Sequence, residues 1–136
     1  MKLNLARILI GVVLLVNVEC ALAFLIWPSV YAGSFELAGA QGEAMLRGLG
    51  VLFLMWNVPY AVALWHPIRH RASLFEALAM QTIGLVGESF IYTSLPLIHS
   101  LARSSLARFI VFDFLGLLSL VGAVWLTRGL PLRSPE

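Results

Sequence analysis

Long apolar runs alternate with short polar stretches along the whole chain. The runs cover about 8–27, 44–65, 73–95 and 107–127. Each is long enough, at about 1.5 Å per residue, to cross a hydrocarbon layer about 30 Å thick. The pattern predicts an all-α fold: an integral membrane four-helix bundle, one domain over residues 1–136. Pro28 ends the first run, because proline supplies no N–H to continue a helix. Residues 29–42, with Gly33, Gly39 and Gly42, read as a loop on the membrane surface with a short interfacial turn. Pro59 inside the second run predicts a bend. His66-Pro67-Ile68-Arg69-His70-Arg71 forms a compact basic loop, and Pro96, His99 and Arg103 fall in the next connection. The tail, Arg128 to Glu136, reads as a mobile end. Lys2, Arg7 and Ala21-Leu22-Ala23 give the first run some features of a cleavable leader. The run continues through Trp27, however, and contains Glu19, so the span is expected to be retained.

The third run carries the clearest polar pattern. Gln81, Gly84, Glu88 and Tyr92 recur every three or four residues and form one stripe on a helix. An ionisable group inside a membrane span marks a functional site by default. Elsewhere the second run holds Arg47 near one end and Asn57 deep inside, and the fourth opens on Arg108 with Asp113 further in. Asn57 and Gln81 suit hydrogen bonding between helices, and Gly11, Gly50, Gly84 and Gly116 suit close packing.

Composition strengthens the membrane reading. The chain is 60% hydrophobic and 12% charged, with mean hydropathy +0.92, against about 25% charged for an ordinary soluble domain. The net charge of +2 comes from residues between and beyond the spans, which excludes a nucleic-acid surface as its simplest explanation. Cys20 is the one cysteine, so no intrachain disulfide, CxxC pair or cysteine-rich metal site exists. His66 and His70 have helical spacing, but Pro67 lies between them and no acidic third ligand is near, so no metal site is assigned. Phosphate-cradling, nucleophile-elbow and HExxH motifs are missing.

Lys2, Arg7, Arg69, Arg71, Arg128 and Arg133 fall on one side of four spans, and Arg47, Arg103 and Arg108 on the other. The positive-inside rule then makes both termini and the middle loop cytoplasmic. Trp27, Trp65 and Trp125 mark the interfaces. In this orientation Glu19, Glu88 and Asp113 lie roughly 9–12 Å below the outer interface, with Arg47 and Arg108 just above. The expectation is an outer-half polar pocket in which Arg47 and Arg108 pair with two of the acids. Glu88, beside Gly84 and able to hydrogen-bond Tyr92, is left as general acid, proton relay or ligand anchor. Structural ion pairs that only fix helix register, or arginines snorkelling to the headgroups, are the alternatives. Spans one and three carry Glu19 and Glu88 while spans two and four open on Arg47 and Arg108, which suggests a two-helix repeat.

Three short motifs, Ala6-Arg7-Ile8-Leu9-Ile10-Gly11, Leu46-Arg47-Gly48-Leu49-Gly50 and Phe112-Asp113-Phe114-Leu115-Gly116-Leu117-Leu118, give the chain a layout that resembles the DoxX-like small four-span bacterial membrane proteins. Gly87-Glu88-Ser89 and the long first loop depart from that group's pattern. The resemblance implies the four-helix fold and a link to quinol-oxidase accessory subunits or thiol-stress complexes, in a group where many members lack a known activity. The functional expectation is binding of, or action on, a small lipophilic molecule such as a quinone or isoprenoid, with Glu88, Glu19 and Asp113 as polar anchors. A non-catalytic accessory subunit meeting a membrane-protein partner, and a proton-coupled carrier working as a homodimer, are the other two readings. The residues themselves do not decide whether the protein is an enzyme.

Overall fold

A computed structural model describes residues 1–131. Residues 132–136, the last part of the expected mobile tail with Arg133, lie outside the described residues. The helices are α1 (Lys2–Ile26), α2 (Pro28–Ala32), α3 (Gly39–Trp65), α4 (Arg71–Ser94) and α5 (Ser100–Thr127), with a 3₁₀ turn at Gly33–Phe35. The four long helices have the length and hydropathy of membrane spans. The chain is a multi-pass membrane protein.

Helix ends follow local chemistry. Pro28 stops α1 and starts α2, where it occupies the first turn and its missing N–H costs nothing. The segment 29–42 is more ordered than a surface loop. Most of it is helical, Glu36 takes a left-handed conformation (φ 58°) to end the 3₁₀ turn, and α3 already begins at Gly39 (φ 65°). Its apolar side chains cause this order: Ala32, Phe35 and Leu37 turn inward against Phe24 and Leu46. Pro59 lies within α3, which runs on to Trp65.

Three arginines close helices other than their own. Arg7 Nε donates to the Leu64 carbonyl at the end of α3 (3.0 Å). Arg71 donates to the Thr127 and Leu130 carbonyls at the end of α5 (3.3 and 3.1 Å). Arg103 donates to the Tyr92 and Leu95 carbonyls at the end of α4 (2.7 and 2.6 Å). Cations at helix C-termini satisfy orphan carbonyls and oppose the helix dipole, at about 0.3–1 kcal/mol each.

The long helices form a ring in the order α1, α3, α4, α5, closed by packing of α5 on α1. The backbones of the diagonal pairs α1/α4 and α3/α5 stay apart, although Phe53 of α3 and Phe109 of α5 meet across the bundle, so space remains along part of the axis. An apolar layer fills the end bearing the N-terminus, built on Ile10, Val13, Leu74 and Leu120. A second layer fills the opposite end, built on Phe24, Leu46, Phe35, Phe53 and Phe109. Gly50 lets α1 and α3 approach closely: a Cβ there would meet the Ala21 carbonyl at 2.8 Å and Leu25 Cγ at 2.9 Å. Gly11 differs, since its Cβ would meet Leu64 only at an ordinary 3.5 Å. Outside, Trp27, Trp65 and Trp125 are exposed near helix ends.

Candidate ligand cavity

Between the two apolar layers lies a half-open cavity of about 270 Å³ that all four long helices line. From α1 come Val16, Asn17 and Cys20; from α3 come Phe53, Trp56, Asn57 and Tyr60. Helix α4 gives Met80, Gln81, Gly84 and Glu88, and α5 gives Arg108, Phe109, Phe112 and Asp113. Aromatic rings make most of the wall towards the loop end, where Phe24, Phe35, Phe53 and Phe109 pack with centroids 5.7–6.2 Å apart.

A hydrogen-bonded chain crosses the bundle at this level. The Tyr60 hydroxyl donates to Gln81 Oε1 at 2.7 Å. Gln81 Nε2 donates to Asp113 Oδ1 at 2.8 Å and, more weakly, to the Asp113 carbonyl at 3.4 Å. The Gln81 amide orientation is fixed by chemistry, because the Asp113 carbonyl can only accept. The chain therefore runs from α3 through α4 to α5, with Asn17 of α1 near the Tyr60 hydroxyl. Glycines make room for it. A Cβ on Gly116 would meet Gln81 Nε2 at 2.6 Å, and one on Gly84 would overlap Asp113 Oδ2. Gly84 and Gly116 therefore admit polar side chains rather than a neighbouring backbone.

Among the described residues, two buried polar atoms at this site have no hydrogen-bond partner. Asn57 is 6% exposed and its Nδ2 donates to the Phe53 carbonyl at 2.7 Å. That bond pins the amide and leaves Oδ1 buried and unpartnered. Glu88 Oε2 is likewise buried with no geometric hydrogen-bond partner, its carboxyl beside that of Asp113. Buried polar atoms almost always find partners, so each exception calls for an explanation.

The residues expected to form the site are thus sorted by the fold. Glu88, Asp113, Gln81, Asn57 and Arg108 meet in the cavity. Glu19 does not: it is exposed on the outer side of α1. Arg47 pairs with Glu43 on its own helix (3.7 Å, half-exposed) rather than with an intramembrane acid. It is four residues from Glu43 on an exposed face, so the local pair is within reach and the interior acids are not. Arg108 makes no ion pair among the described residues; it donates to Ser105 Oγ at 2.9 Å, which in turn donates to the Ser34 carbonyl at 2.6 Å. Tyr92 does not line the cavity and lies under the Arg103 guanidinium, 4.2 Å from the ring centre. The suggested repeat fails in space, since Glu88 and Arg108 face the cavity while Glu19 and Arg47 face outward. Tyr60, Asn17 and Cys20 join the site without having been singled out for it. Among the described residues, no group of three His, Cys, Asp or Glu side chains is placed to hold a metal.

Outside the spans, the first loop is clasped to α5. Glu36 Oε1 accepts from the Leu101 and Ala102 N–H groups at 3.2 and 3.4 Å, and Oε2 lies 2.6 Å from His99 Nδ1. The His99 hydrogen bond, aided by these N–H groups, holds the Glu36 carboxyl below the usual range.

No family model matches this chain. No curated protein and no solved structure matches it either. The functional reading therefore rests on the site itself.

Proposed function

We propose that the cavity binds a small lipophilic molecule, quinone- or isoprenoid-like, with its apolar body against Phe53, Trp56, Phe109 and Phe112 and its polar head towards Glu88 and the Tyr60–Gln81–Asp113 chain. The single observation that carries this reading is an apolar-walled space on the axis of a membrane bundle at which polar groups from four helices converge. Mostly apolar walls with a few fixed polar groups are the general character of small-molecule sites. The unpartnered Asn57 Oδ1 and Glu88 Oε2 favour a head group that donates hydrogen bonds. Kinship with DoxX-like proteins belongs to the same proposal and rests on the three short motifs. So does the orientation, in a bacterial inner membrane with both termini cytoplasmic. It is supported by Lys2, Arg7, Arg69, Arg71 and Arg128 gathering at one end of the bundle.

The test is equilibrium binding to the purified protein, read by quenching of tryptophan fluorescence with Trp56→Phe as the blank. A short-chain quinone, its hydroquinone and an isoprenoid alcohol serve as probes. Saturable quenching that disappears in the blank and weakens about tenfold in Glu88→Gln, as expected for loss of a buried hydrogen-bonding carboxyl, supports the proposal. Non-saturable partitioning identical in all variants contradicts it.

A further inference from the structure

The cavity leaves one intramembrane carboxyl unused. Glu19 is exposed and lies outside the cavity, and among the described residues it enters no ion pair. On α1 it shares a face with Val12, Leu15, Leu22 and Ile26, which are 42–68% exposed, so it sits in the middle of an apolar stripe. Its depth follows from the helix. α1 ends at Ile26 with Trp27 exposed beside it, which places Glu19 about 10 Å down the axis. Packing of Leu9 against Gly122 sets the α1–α5 register, so Glu19 lies at about the level of Asp113. A glutamate is too short to reach the headgroups from there, and lone charges facing hydrocarbon are rare because they are costly.

We propose that this face of α1 docks a transmembrane helix of another membrane protein, one that presents a basic side chain at the depth of Glu19. Charge decides the occupant. A twofold pair of this chain packed through α1 would bring Glu19 against its own copy, and like charges in a low dielectric repel. The chain's own arginines nearest that depth are engaged elsewhere, Arg108 with Ser105 at the cavity and Arg47 with Glu43. A foreign helix with lysine or arginine at mid-span satisfies the carboxylate and is itself satisfied, while the flanking aliphatic side chains supply the packing. The inference does not depend on cavity binding, because no residue of the stripe enters the cavity.

The experiment uses the full-length protein in bilayers and a synthetic polyleucine transmembrane helix of about 21 residues with a single central lysine, or leucine in its place. Association is read by energy transfer between labels on the protein N-terminus and the peptide. The lysine helix is expected to associate about tenfold more tightly than the all-leucine helix. Glu19→Gln and Glu19→Leu should both abolish the preference, and Glu43→Gln should retain it, with helical content unchanged in each. The Leu variant keeps the test valid if Gln disturbs insertion. Equal association of the two peptides, or a preference that survives both Glu19 variants, overturns the proposal. So does Glu19-dependent self-association of the protein without peptide, since the occupant would then be a second copy.

Discussion

Gly84 is where one atom controls the polar chain. Any Cβ at this position overlaps the Asp113 carboxylate, and Asp has too few side-chain torsions to move aside while keeping its bond to Gln81. Gly84→Ala is expected to break the Gln81–Asp113 bond and to cost about 1–3 kcal/mol, as overpacking and a lost buried hydrogen bond both do. A fall in thermal midpoint together with lost probe binding checks this; an unchanged midpoint and affinity contradicts it. Gln81→Leu acts on the same chain by another route, stranding the Tyr60 hydroxyl and Asp113 Oδ1 together. It should destabilise more than Tyr60→Phe, which removes the hydroxyl together with its need for a partner and leaves the Gln81–Asp113 bond in place, and thermal melts of the two variants side by side measure the order. The unpartnered Asn57 Oδ1 makes a prediction about ligands: a hydroquinone should bind more tightly than its di-O-methyl ether, and Asn57→Leu should narrow the difference. Equal affinities for both probes would show that no donor is read.

At the scale of elements, loop and helix ends are joined by long-range caps. The 65-residue reach of Glu36 to the first turn of α5 ties the first loop to the helix that presents Arg108 and Asp113 to the cavity. The second tie, Ser105 to the Ser34 carbonyl, begins three residues before Arg108. Because the folded Glu36 carboxyl is held below its usual range, its stabilising effect is complete above the unfolded value near pH 4.3. It is lost as pH falls through the lower folded value. Protection of the Leu101 and Ala102 amides, their exchange measured against the intrinsic rate at each pH, should therefore fall on acidification. In Glu36→Ala, which leaves no acceptor, those amides should already exchange fast at neutral pH and their protection should respond little to acid. Protection independent of both pH and the substitution would remove Glu36 as the cap. This clasp could not be read from the chain, where Glu36 is one polar residue in a glycine-containing stretch. The inward turn of Phe35 and Leu37 that positions it depends on Phe24 and Phe109, which are remote in sequence.

For the molecule as a whole, hydropathy set the number of long helices and where each ends, while α1, α3 and α5 begin five to seven residues before their apolar runs, in polar or glycine-containing sequence that hydropathy does not mark as helix. It also set depth along each axis, so Glu19, Asn57, Gln81, Glu88 and Asp113 could all be assigned to the membrane interior. Rotation about the axis was harder to read. On α4 the stripe of Gln81, Gly84 and Glu88 revealed the inner face because its polar residues recur at helical spacing. On α1, Asn17 and Glu19 are two residues apart and point in different directions, so residue type alone could not say which one faces inward. Arg47 had the same ambiguity, resolved by Glu43 one turn earlier. Tyr60 escaped notice because its hydroxyl is hidden in an otherwise apolar run. The ring of helices with open diagonals converts these separate rotations into one cavity between two apolar layers, and the central claim is that a lipophile occupies it. The most direct measurement is native mass spectrometry of the wild-type protein beside Glu88→Gln, followed by identification of the released small molecules. The account predicts a defined lipophile bearing a hydrogen-bond donor at near-unit occupancy in the wild type and its depletion in a variant that remains folded. Bulk phospholipid alone in both samples would contradict it.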